Sequence, residues 1–392
     1  MSSSFHTIVV GLGAMGSSTL YQLACRGVKA LGIDLLCPPH TSGSTHGETR
    51  ITRQALGEGD HYTPLSLRSL EIFRELESKT NSKLLEVTGG LIISSASSSV
   101  FHVPGFFENT VAAARKYGIR HEILTVGEMR TRFPQFNLDD DEIGYYEFEM
   151  GILRPEEAVR VQLSLAQELG ATIHTNETVR HFEETPNAVT VQTDKSTYEA
   201  QHLVLSVGPW LPQLLPQVES TFQVCREVLY WFDISQSFSD FQLGKFPIFI
   251  WLIKGSESGL YGFPALDGAL GGLKISTSDY TTAVTQDSVE RTVSAEETAS
   301  MFKNKVAPFI SKVGAKCIKS AVCLYTVTAD SGFVIDWLPS SKRILLCSPC
   351  SGHGFKHSPA IGESIAQLIT SGETSLDMSA FKLDRLLGKS LI

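Results

Sequence analysis

Three glycines near the start of the sequence have the spacing Gly-x-Gly-x-x-Gly, which is typical of a turn that binds the pyrophosphate of a dinucleotide: Gly11, Gly13 and Gly16. The first glycine permits a tight turn, the second lets the backbone approach the phosphates, and the third lets a helix pack closely. Asp34 closes the next apolar stretch, where its carboxylate can accept a hydrogen bond from a ribose hydroxyl. These residues predict a dinucleotide site, and they do not separate FAD from NAD.

The elements that must position these glycines form a βαβ unit. The apolar run in HTIVVGLG predicts a strand, and the helical spacing of apolar residues in AMGSSTLYQLACRG predicts a helix that ends at Gly27. VKALGID predicts a second buried strand. A βαβ unit belongs to a parallel sheet covered by helices, so the fold class is α/β with a Rossmann-like domain.

A second group of candidate residues lies in the polar stretch 38–59, which is long for a loop without a function. His46, Arg50 and Arg53 would place cations beside the dinucleotide site, where they suit a flavin ring or a substrate carboxylate. A solvated loop whose arginines pair with surface acids explains the same residues equally well.

The segment SGHGFKHS, residues 351–358, is a third candidate. Gly352 and Gly354 allow a ligand to approach the backbone, and the helix predicted after them would direct its positive end towards that ligand. A reduced flavin carries negative charge, which suits this position. The alternative is an ordinary turn between a strand and a helix, with His353 and Lys356 on the surface.

Lys274, Cys323 and the pair Cys347 and Cys350 are weaker candidates. A single lysine in an apolar strand is usually a snorkelling edge residue, and a buried cysteine is usually inert packing. Cys-x-x-Cys is typical of redox chemistry or of half a zinc site. Because the sequence has no second such motif, the favoured interpretation is two packed cysteines at a strand end.

Composition narrows the class of protein. With 392 residues, 42% of them hydrophobic and 19% charged, the chain is expected to form two globular domains, or one domain with a large insertion. A net charge of −9 without a basic cluster argues against nucleic acid or an anionic membrane as partner. The N-terminus has no secretory pattern, and seven widely spaced cysteines do not indicate a disulfide scaffold. We therefore expect a cytoplasmic protein.

The rest of the chain is predicted from periodicity. Residues 107–133 are expected to be helical, and 172–185 are expected to form one strand. Between them, 154–171 is expected to contain a helix with Pro155 in its first turn and Gly170 just past its end. Beyond Trp210, long antiparallel strands are expected.

Taken together, the motifs resemble the family of monomeric sarcosine oxidase and N-methyltryptophan oxidase, which are flavoprotein amine oxidases. The segments that carry the resemblance, in family order, are VVGLGAMG, PPHTSGSTHGETRITRQALGEG, YGFPAL, LKIS, AVCLYT, FVID and SGHGFKHS. The resemblance implies a discontinuous FAD-binding domain formed by 1–86, 151–219 and 326–392. It also implies a substrate domain, formed by 87–150 and 220–325, on a mostly antiparallel sheet.

The resemblance also implies a covalently bound cofactor. In this family, the cysteine at the position of Cys323 carries FAD through a thioether to the 8α-methyl group, which retains the flavin and raises its potential. The lysine that matches Lys274 activates oxygen, and residues matching His46 and Arg50 lie against the flavin. The remaining residues of the cofactor site would be Gly11, Gly13, Gly16 and Asp34 at one end, and Gly352, His353, Gly354 and Lys356 at the other.

The substrate residues implied by the resemblance are Arg53 and Lys356, which would bind a carboxylate, and Tyr261 and Tyr325, which would line the pocket. The sequence departs from the family at Ser278, where members often have a histidine. Extra residues also lie between Tyr261 and Lys274. Both departures alter the expected pocket and therefore the substrate.

The implied reaction is oxidation of the C–N bond of a secondary amino acid such as sarcosine, with reduction of O2 to H2O2 by a monomeric enzyme that needs no metal. A cyclic imino acid such as pipecolate or proline, and a fructosyl amino acid, are alternative substrates. A flavin-binding protein without oxidase activity, or a dehydrogenase that passes electrons to a protein, is the alternative from a different class.

Overall fold

The structure is a computed structural model, and the residues that it describes are 3–95, 103–256, 258–280, 282–339 and 341–386. The outermost residues of the predicted cofactor domain, 1–2 and 387–392, lie outside the described residues. Within the described part of the chain, no helix is long and apolar enough to cross a membrane.

The described chain begins with the predicted βαβ unit, and further strands and helices follow it. The strands are, in chain order, β1 (Ser3–Val10), β2 (Ala30–Ile33), β3 (Arg50–Thr52), β4 (Leu85–Val87), β5 (Gly90–Ser95), β6 (His121–Thr125), β7 (Glu142–Glu147), β8 (Gly151–Leu153), β9 (Thr172–His174), β10 (Val179–Glu184), β11 (Val189–Thr193), β12 (Thr197–Leu205), β13 (Gln223–Phe232), β14 (Ile248–Leu252), β15 (Gly259–Gly262), β16 (Leu273–Ser278), β17 (Cys317–Val327), β18 (Val334–Trp337) and β19 (Ile344–Ser348). The helices are α1 (Ala14–Cys25), α2 (Thr63–Thr80), α3 (Phe106–Lys116), α4 (Val126–Arg132), α5 (Pro155–Glu168), α6 (Leu211–Leu214), α7 (Phe238–Phe241), α8 (Ala295–Met301) and α9 (Ser358–Ser371).

The first large sheet has a parallel centre. Strand β1 pairs in parallel with β12 and β2, β2 pairs in parallel with β9, and β12 pairs in parallel with β19. Successive residues of β1 point to opposite faces, so Val9 packs among α1, α2, α5 and α9 while Ile8 and Val10 pack on the other side. This sheet confirms the predicted α/β class and the Rossmann-like βαβ unit.

The second large sheet has the order β17-β13-β16-β15-β14-β5-β7-β6, and only its β14–β5 pair is parallel. Alternate residues of β13 divide between two cores. Val228 and Tyr230 belong to a large apolar cluster, whereas Leu229 and Trp231 pack with Cys323 on the opposite face. The expected antiparallel strands beyond Trp210 are therefore confirmed, and one face of their sheet carries the candidate residues.

A small three-stranded sheet links the polar stretch 38–59 to α5. Strands β3 and β4 both pair with β8 in antiparallel orientation. Since β3 begins at Arg50 and β8 leads directly into α5, this sheet fixes the loop before β3 against the start of α5.

Two predictions of secondary structure were wrong. The stretch 107–133 is not helical throughout, because α3 ends at Lys116 and β6 intervenes before α4. Strand β6 completes the edge of the second sheet by pairing with β7, a long-range contact that local periodicity does not show. The stretch 172–185 forms β9 and β10 rather than one strand, since Asn176 between them is left-handed, with φ +51°.

Candidate active site

A cavity of about 460 Å³ lies between the two large sheets. The residues predicted from the sequence that line it are Gly11, Gly13, Asp34, Arg50, Arg53, Tyr261, Lys274, Ser278, Tyr325, Gly352, His353, Gly354 and Lys356. Gly16, His46 and Cys323 are not part of its wall. The structure therefore brings most of the candidates together, although they come from distant parts of the chain.

The glycine-rich turn after β1 has no room for side chains. Gly11 has φ +83°, and a Cβ on Gly16 would lie 1.8 Å from the carbonyl oxygen of Gly11, which explains why Gly16 is packed inside the turn and not on the cavity wall. Asp34 accepts a hydrogen bond from the N–H of Leu12 through Oδ2 at 2.7 Å. Its burial raises the pKa of the carboxyl group. The turn and the carboxylate thus have the arrangement expected of a dinucleotide site.

Lys274 is bound to the loop before β3. Its Nζ donates to the carbonyl oxygen of Gly47 at 2.6 Å and to the carbonyl and hydroxyl oxygens of Thr49 at 3.1 and 3.0 Å. The ammonium also lies 5.3 Å from the ring centre of Trp231. Burial, with a further contribution from Arg50, holds the pKa of Lys274 well below its usual range. Lys274 is therefore an interior residue and not the edge residue that the isolated sequence suggested.

Arg50 and Cys323 are in contact beside the cavity. Arg50 donates to the carbonyl oxygens of Thr49 and Ser44 at 2.8 and 2.7 Å, and its Nη2 lies 3.7 Å from Cys323 Sγ. The Cys323 thiol donates to the carbonyl oxygen of Ser44 at 3.4 Å and is fully buried. Burial raises the pKa of this thiol, and the charge of Arg50 opposes the rise. Cys323 is thus covered by the residues that form the cavity wall.

Several polar atoms around this part of the site are buried without a hydrogen-bond partner among the described residues. They include His46 Nε2 and the hydroxyl oxygens of Ser44 and Ser348, and both serines line the cavity. Burial lowers the pKa of His46 to about 4, so this imidazole is neutral near pH 7. Buried polar atoms normally have partners, and the carbonyl and ring nitrogen atoms of a flavin in the cavity would supply them to Ser44 and Ser348. The residues present therefore fit a flavin.

Two further cations meet at another part of the cavity wall. Arg53 forms an ion pair with Glu58 in which the single nitrogen Nη2 lies 2.6 and 2.7 Å from the two carboxylate oxygens, and both side chains are buried. Lys356 Nζ donates to the carbonyl oxygen of His353 at 2.7 Å. Burial lowers the pKa of Lys356 to about 7, while the nearby Glu58 raises it. This part of the wall therefore carries two buried basic side chains and one carboxylate, which is paired with Arg53.

Two tyrosines lie next to each other on the cavity wall. The hydroxyl oxygens of Tyr261 and Tyr325 are 3.4 Å apart. Burial raises the pKa of both, so both hydroxyl groups are neutral hydrogen-bonding groups. Ser278 and Ile250 line the same cavity. A ligand here would meet apolar surface with a few hydroxyl groups.

Sequence patterns did not point to three carboxyl groups that lie near the candidate residues of the site, those of Glu58, Glu156 and Glu227. Glu58 lies close to Arg53 in the sequence, which was an available signal. Glu156 accepts hydrogen bonds from the loop before β3, and Glu227 is buried on β13 with its pKa raised to about 8 by burial. These two are distant in sequence from the residues that they contact, so no spacing pattern pointed to them.

The two cysteines of the Cys-x-x-Cys motif are both free thiols. Cys347 lies in β19, and Cys350 follows it on the cavity wall, with its sulfur accepting a hydrogen bond from the N–H of Thr326 at 3.2 Å. Over the described residues, no group of three or more His, Cys, Asp or Glu side chains could hold a metal ion.

Comparison with known proteins identifies the class. Residues 6–368 match the model of the FAD dependent oxidoreductase family. The chain is 35% identical to monomeric sarcosine oxidase of Streptomyces avermitilis over 388 residues, covering 98% of this chain and 99% of that protein. It is 31% identical to N-methyl-L-tryptophan oxidase of Salmonella heidelberg over 390 residues, covering 97% and 99%.

The chain therefore belongs to the FAD-dependent oxidoreductase family, in the group that contains these two enzymes. The predicted family is confirmed, and FAD is the cofactor. The solved structure of NikD, an amino acid oxidase essential for nikkomycin biosynthesis, superposes with a TM-score of 0.83 at 22% identity, covering 97% of this chain and 98% of that one. This likeness confirms the fold.

Proposed function

We propose that the protein is an FAD-dependent oxidase that oxidises the C–N bond of a secondary amino acid, such as an N-methyl amino acid, and reduces O2 to H2O2. The observation that carries the proposal is the pair of buried cations, Arg53 and Lys356, on the wall of a cavity that also fits a flavin. Water would enter the overall reaction once, so that an N-methyl substrate, O2 and water give the primary amino acid, formaldehyde and H2O2.

Arg53 and Lys356 would bind the substrate carboxylate. An arginine fork binds two carboxylate oxygens at once, and a second cation fixes the orientation of the group. Because one carboxylate is held at a defined place, the carbon next to the nitrogen is held as well, which is chiefly a positioning effect. Tyr261, Tyr325 and the apolar wall would surround the amine and exclude water.

FAD, when bound, supplies the acceptor for the hydride equivalent that leaves the substrate. Lys274 is proposed to act on oxygen, because a fixed buried cation stabilises the negative charge that oxygen acquires when it is reduced. Arg50 and His46 would lie beside the flavin, and Asp34 with the glycines at 11, 13 and 16 would hold its dinucleotide part. The turn at 352–354 would face the flavin ring.

We propose that Cys323 is the attachment point of FAD, through a thioether. The contact with Arg50 supports this role, since a neighbouring cation favours the thiolate that forms such a bond. The test is acid precipitation of the purified protein. Yellow colour should remain with the pellet of the wild type and move to the supernatant in Cys323→Ala.

We also propose the predicted division into a cofactor domain and a substrate domain. The strands of the first large sheet all fall within 1–86, 151–219 and 326–392, which supports this division. The strands of the second large sheet fall within 87–150 and 220–325, apart from the end of β17. We propose that the enzyme is monomeric and cytoplasmic, and the similarity to monomeric sarcosine oxidase supports a monomer.

The role of Lys274 is tested by separating the two halves of the reaction. Lys274→Met should slow reoxidation of the reduced enzyme by oxygen far more than reduction by substrate. Equal effects on both steps would refute the role. A peroxide assay with N-methyl amino acids, pipecolate, proline and fructosyl amino acids then selects the substrate, and reduction without peroxide formation would indicate a dehydrogenase.

A further inference from the structure

Glu156, near the start of α5, binds the loop that joins His46 to Arg50. Its Oε1 accepts hydrogen bonds from the backbone N–H groups of Gly47, at 2.7 Å, and Glu48, at 3.0 Å. Both of these residues are left-handed, with φ +98° and +72°. Successive amides in such a turn form a concave site for an anion. The Glu156 carboxylate therefore stabilises a backbone conformation that is unfavourable for a residue with a side chain.

The carbonyl groups of the same loop bind cations. Lys274 donates to the carbonyl oxygens of Gly47 and Thr49, and Arg50 donates to those of Thr49 and Ser44. One anion thus holds the N–H side of the loop, and two cations hold its C=O side. The loop is bound by α5 on one side and by β16 on the other.

The charge of Glu156 acts on the three groups that we propose to lie at the flavin. It raises the pKa of His46, Arg50 and Lys274, and so opposes the effect of burial on each. Glu48 acts in the same direction on Lys274, but it is itself ion-paired with Lys319. Glu156 is the carboxylate that these three groups have in common.

A simpler role for Glu156 is stabilisation of α5, because an acidic residue is favourable at the start of a helix. Glu157 occupies the same helical turn and has the same charge, but it binds Arg160 and does not contact the loop. The two neighbouring glutamates are therefore a matched pair. If the carboxylate acts only on the helix, substitution of either glutamate should have the same effect. If it acts through the loop, only substitution of Glu156 should have an effect.

We propose that Glu156 is a positioning residue of the oxygen-reacting part of the site: its carboxylate fixes the loop between His46 and Arg50, and its negative charge is a counter-charge to Lys274 on the other side of that loop. The proposal rests on the proposed role of Lys274 with oxygen. Glu156 itself is not part of the cavity wall.

The positioning role is tested by hydrogen–deuterium exchange of the full-length protein, with or without flavin. Glu156→Ala should speed exchange at the amides of Gly47 and Glu48 by about tenfold or more, because their acceptor is lost. Glu156→Gln keeps an acceptor oxygen and should stay near the wild type, as should Glu157→Gln. Unchanged exchange in Glu156→Ala would overturn the positioning role.

The charge role is tested by the pH dependence of reoxidation. Glu156→Gln should move the pH at which reoxidation slows by about one unit to lower pH, since Lys274 loses a counter-charge. Reduction by substrate should change by less than about twofold, and Glu157→Gln should match the wild type in both steps. A wild-type reoxidation profile in Glu156→Gln would overturn the charge role.

The proposed function can fail separately. If Lys274→Met leaves reoxidation unchanged, the role of Lys274 with oxygen is refuted, and with it the charge role of Glu156. The exchange measurement does not depend on turnover, so it would still decide whether Glu156 holds the loop.

Discussion

Replacing Glu58 by glutamine should strengthen the binding of carboxylates while it destabilises the empty protein. Arg53 and Glu58 form a buried ion pair, with side chains only 3% and 2% exposed. A substrate carboxylate must therefore compete with Glu58 for the guanidinium group. Glutamine has nearly the same shape, so the variant removes the competing charge with little change in volume.

The magnitude follows from the burial of this pair. Removing one partner of a buried ion pair costs about 3–5 kcal/mol, because the other charge is left without compensation. Arg53 keeps its hydrogen bond to the carbonyl oxygen of Ala55, which favours the lower value, about 3 kcal/mol. A bound carboxylate would restore most of that energy. Since 1.4 kcal/mol is a tenfold change, the dissociation constant should fall by about 10- to 100-fold.

The assay combines urea unfolding with titration by acetate, a carboxylate that lacks the amine. Glu58→Gln should unfold at lower urea without acetate and should gain more stability from acetate than the wild type does. Glu363→Gln is the matched control, because both carboxylate oxygens of Glu363 also bind an arginine, Arg68, but at the partly exposed surface. That control should cost about 1 kcal/mol or less and leave acetate binding unchanged.

Weaker acetate binding by Glu58→Gln would refute this reasoning. It would show that Glu58 holds Arg53 in the geometry needed for binding and does not compete with the ligand.

Three further predictions concern other parts of the molecule. Since the pKa of Lys356 is about 7, this lysine loses its charge as the pH rises above 7. Acetate binding, measured by calorimetric titration, should therefore weaken above pH 7 in the wild type. The same rise in pH should weaken binding much less in Lys356→Met. Burial raises the pKa of Glu227 from 4.5 to about 8. The folded state therefore holds the proton more tightly than the unfolded state. As the pH rises from 4.5 to 8, this difference lowers the free energy of unfolding of the protein. Glu227→Gln should consequently gain a few kcal/mol over the wild type between pH 5 and pH 8 in urea unfolding, and a gain independent of pH would contradict this. Gly16→Ala should abolish flavin binding, measured by visible absorbance, because the added Cβ would overlap the carbonyl oxygen of Gly11. Gly127→Ala is the control and should retain flavin binding, because its Cβ would meet open space.

The parts of the fold with strong local patterns could be predicted from the sequence. The glycine spacing and apolar runs gave β1, α1 and β2, and Pro155 correctly marked the start of α5. Strand β6 could not be predicted locally, because it is defined by pairing with β7. The break between β9 and β10 depends on the left-handed conformation of one residue, Asn176, which periodicity does not reveal.

The candidate site was predictable where a residue belongs to a motif, and less so where tertiary contacts decide its role. The family resemblance implies that Arg53 and Lys356 bind a carboxylate, and both residues line the cavity. No sequence pattern predicts that Arg53 is ion-paired or that Glu156 binds the loop at 47–49. Such contacts join segments that are far apart in the chain, so they become visible only once the sheets are assembled.

The most direct test of the central claim is to mix the flavin-containing enzyme with an N-methyl amino acid in the absence of oxygen and then to admit oxygen. The proposed function predicts that the visible flavin absorbance bleaches on mixing and returns with oxygen, with one H2O2 formed for each flavin. Absorbance that stays unchanged with N-methyl and cyclic amino acids, or that bleaches without recovering in oxygen, would contradict the claim that the protein is an oxidase of secondary amino acids.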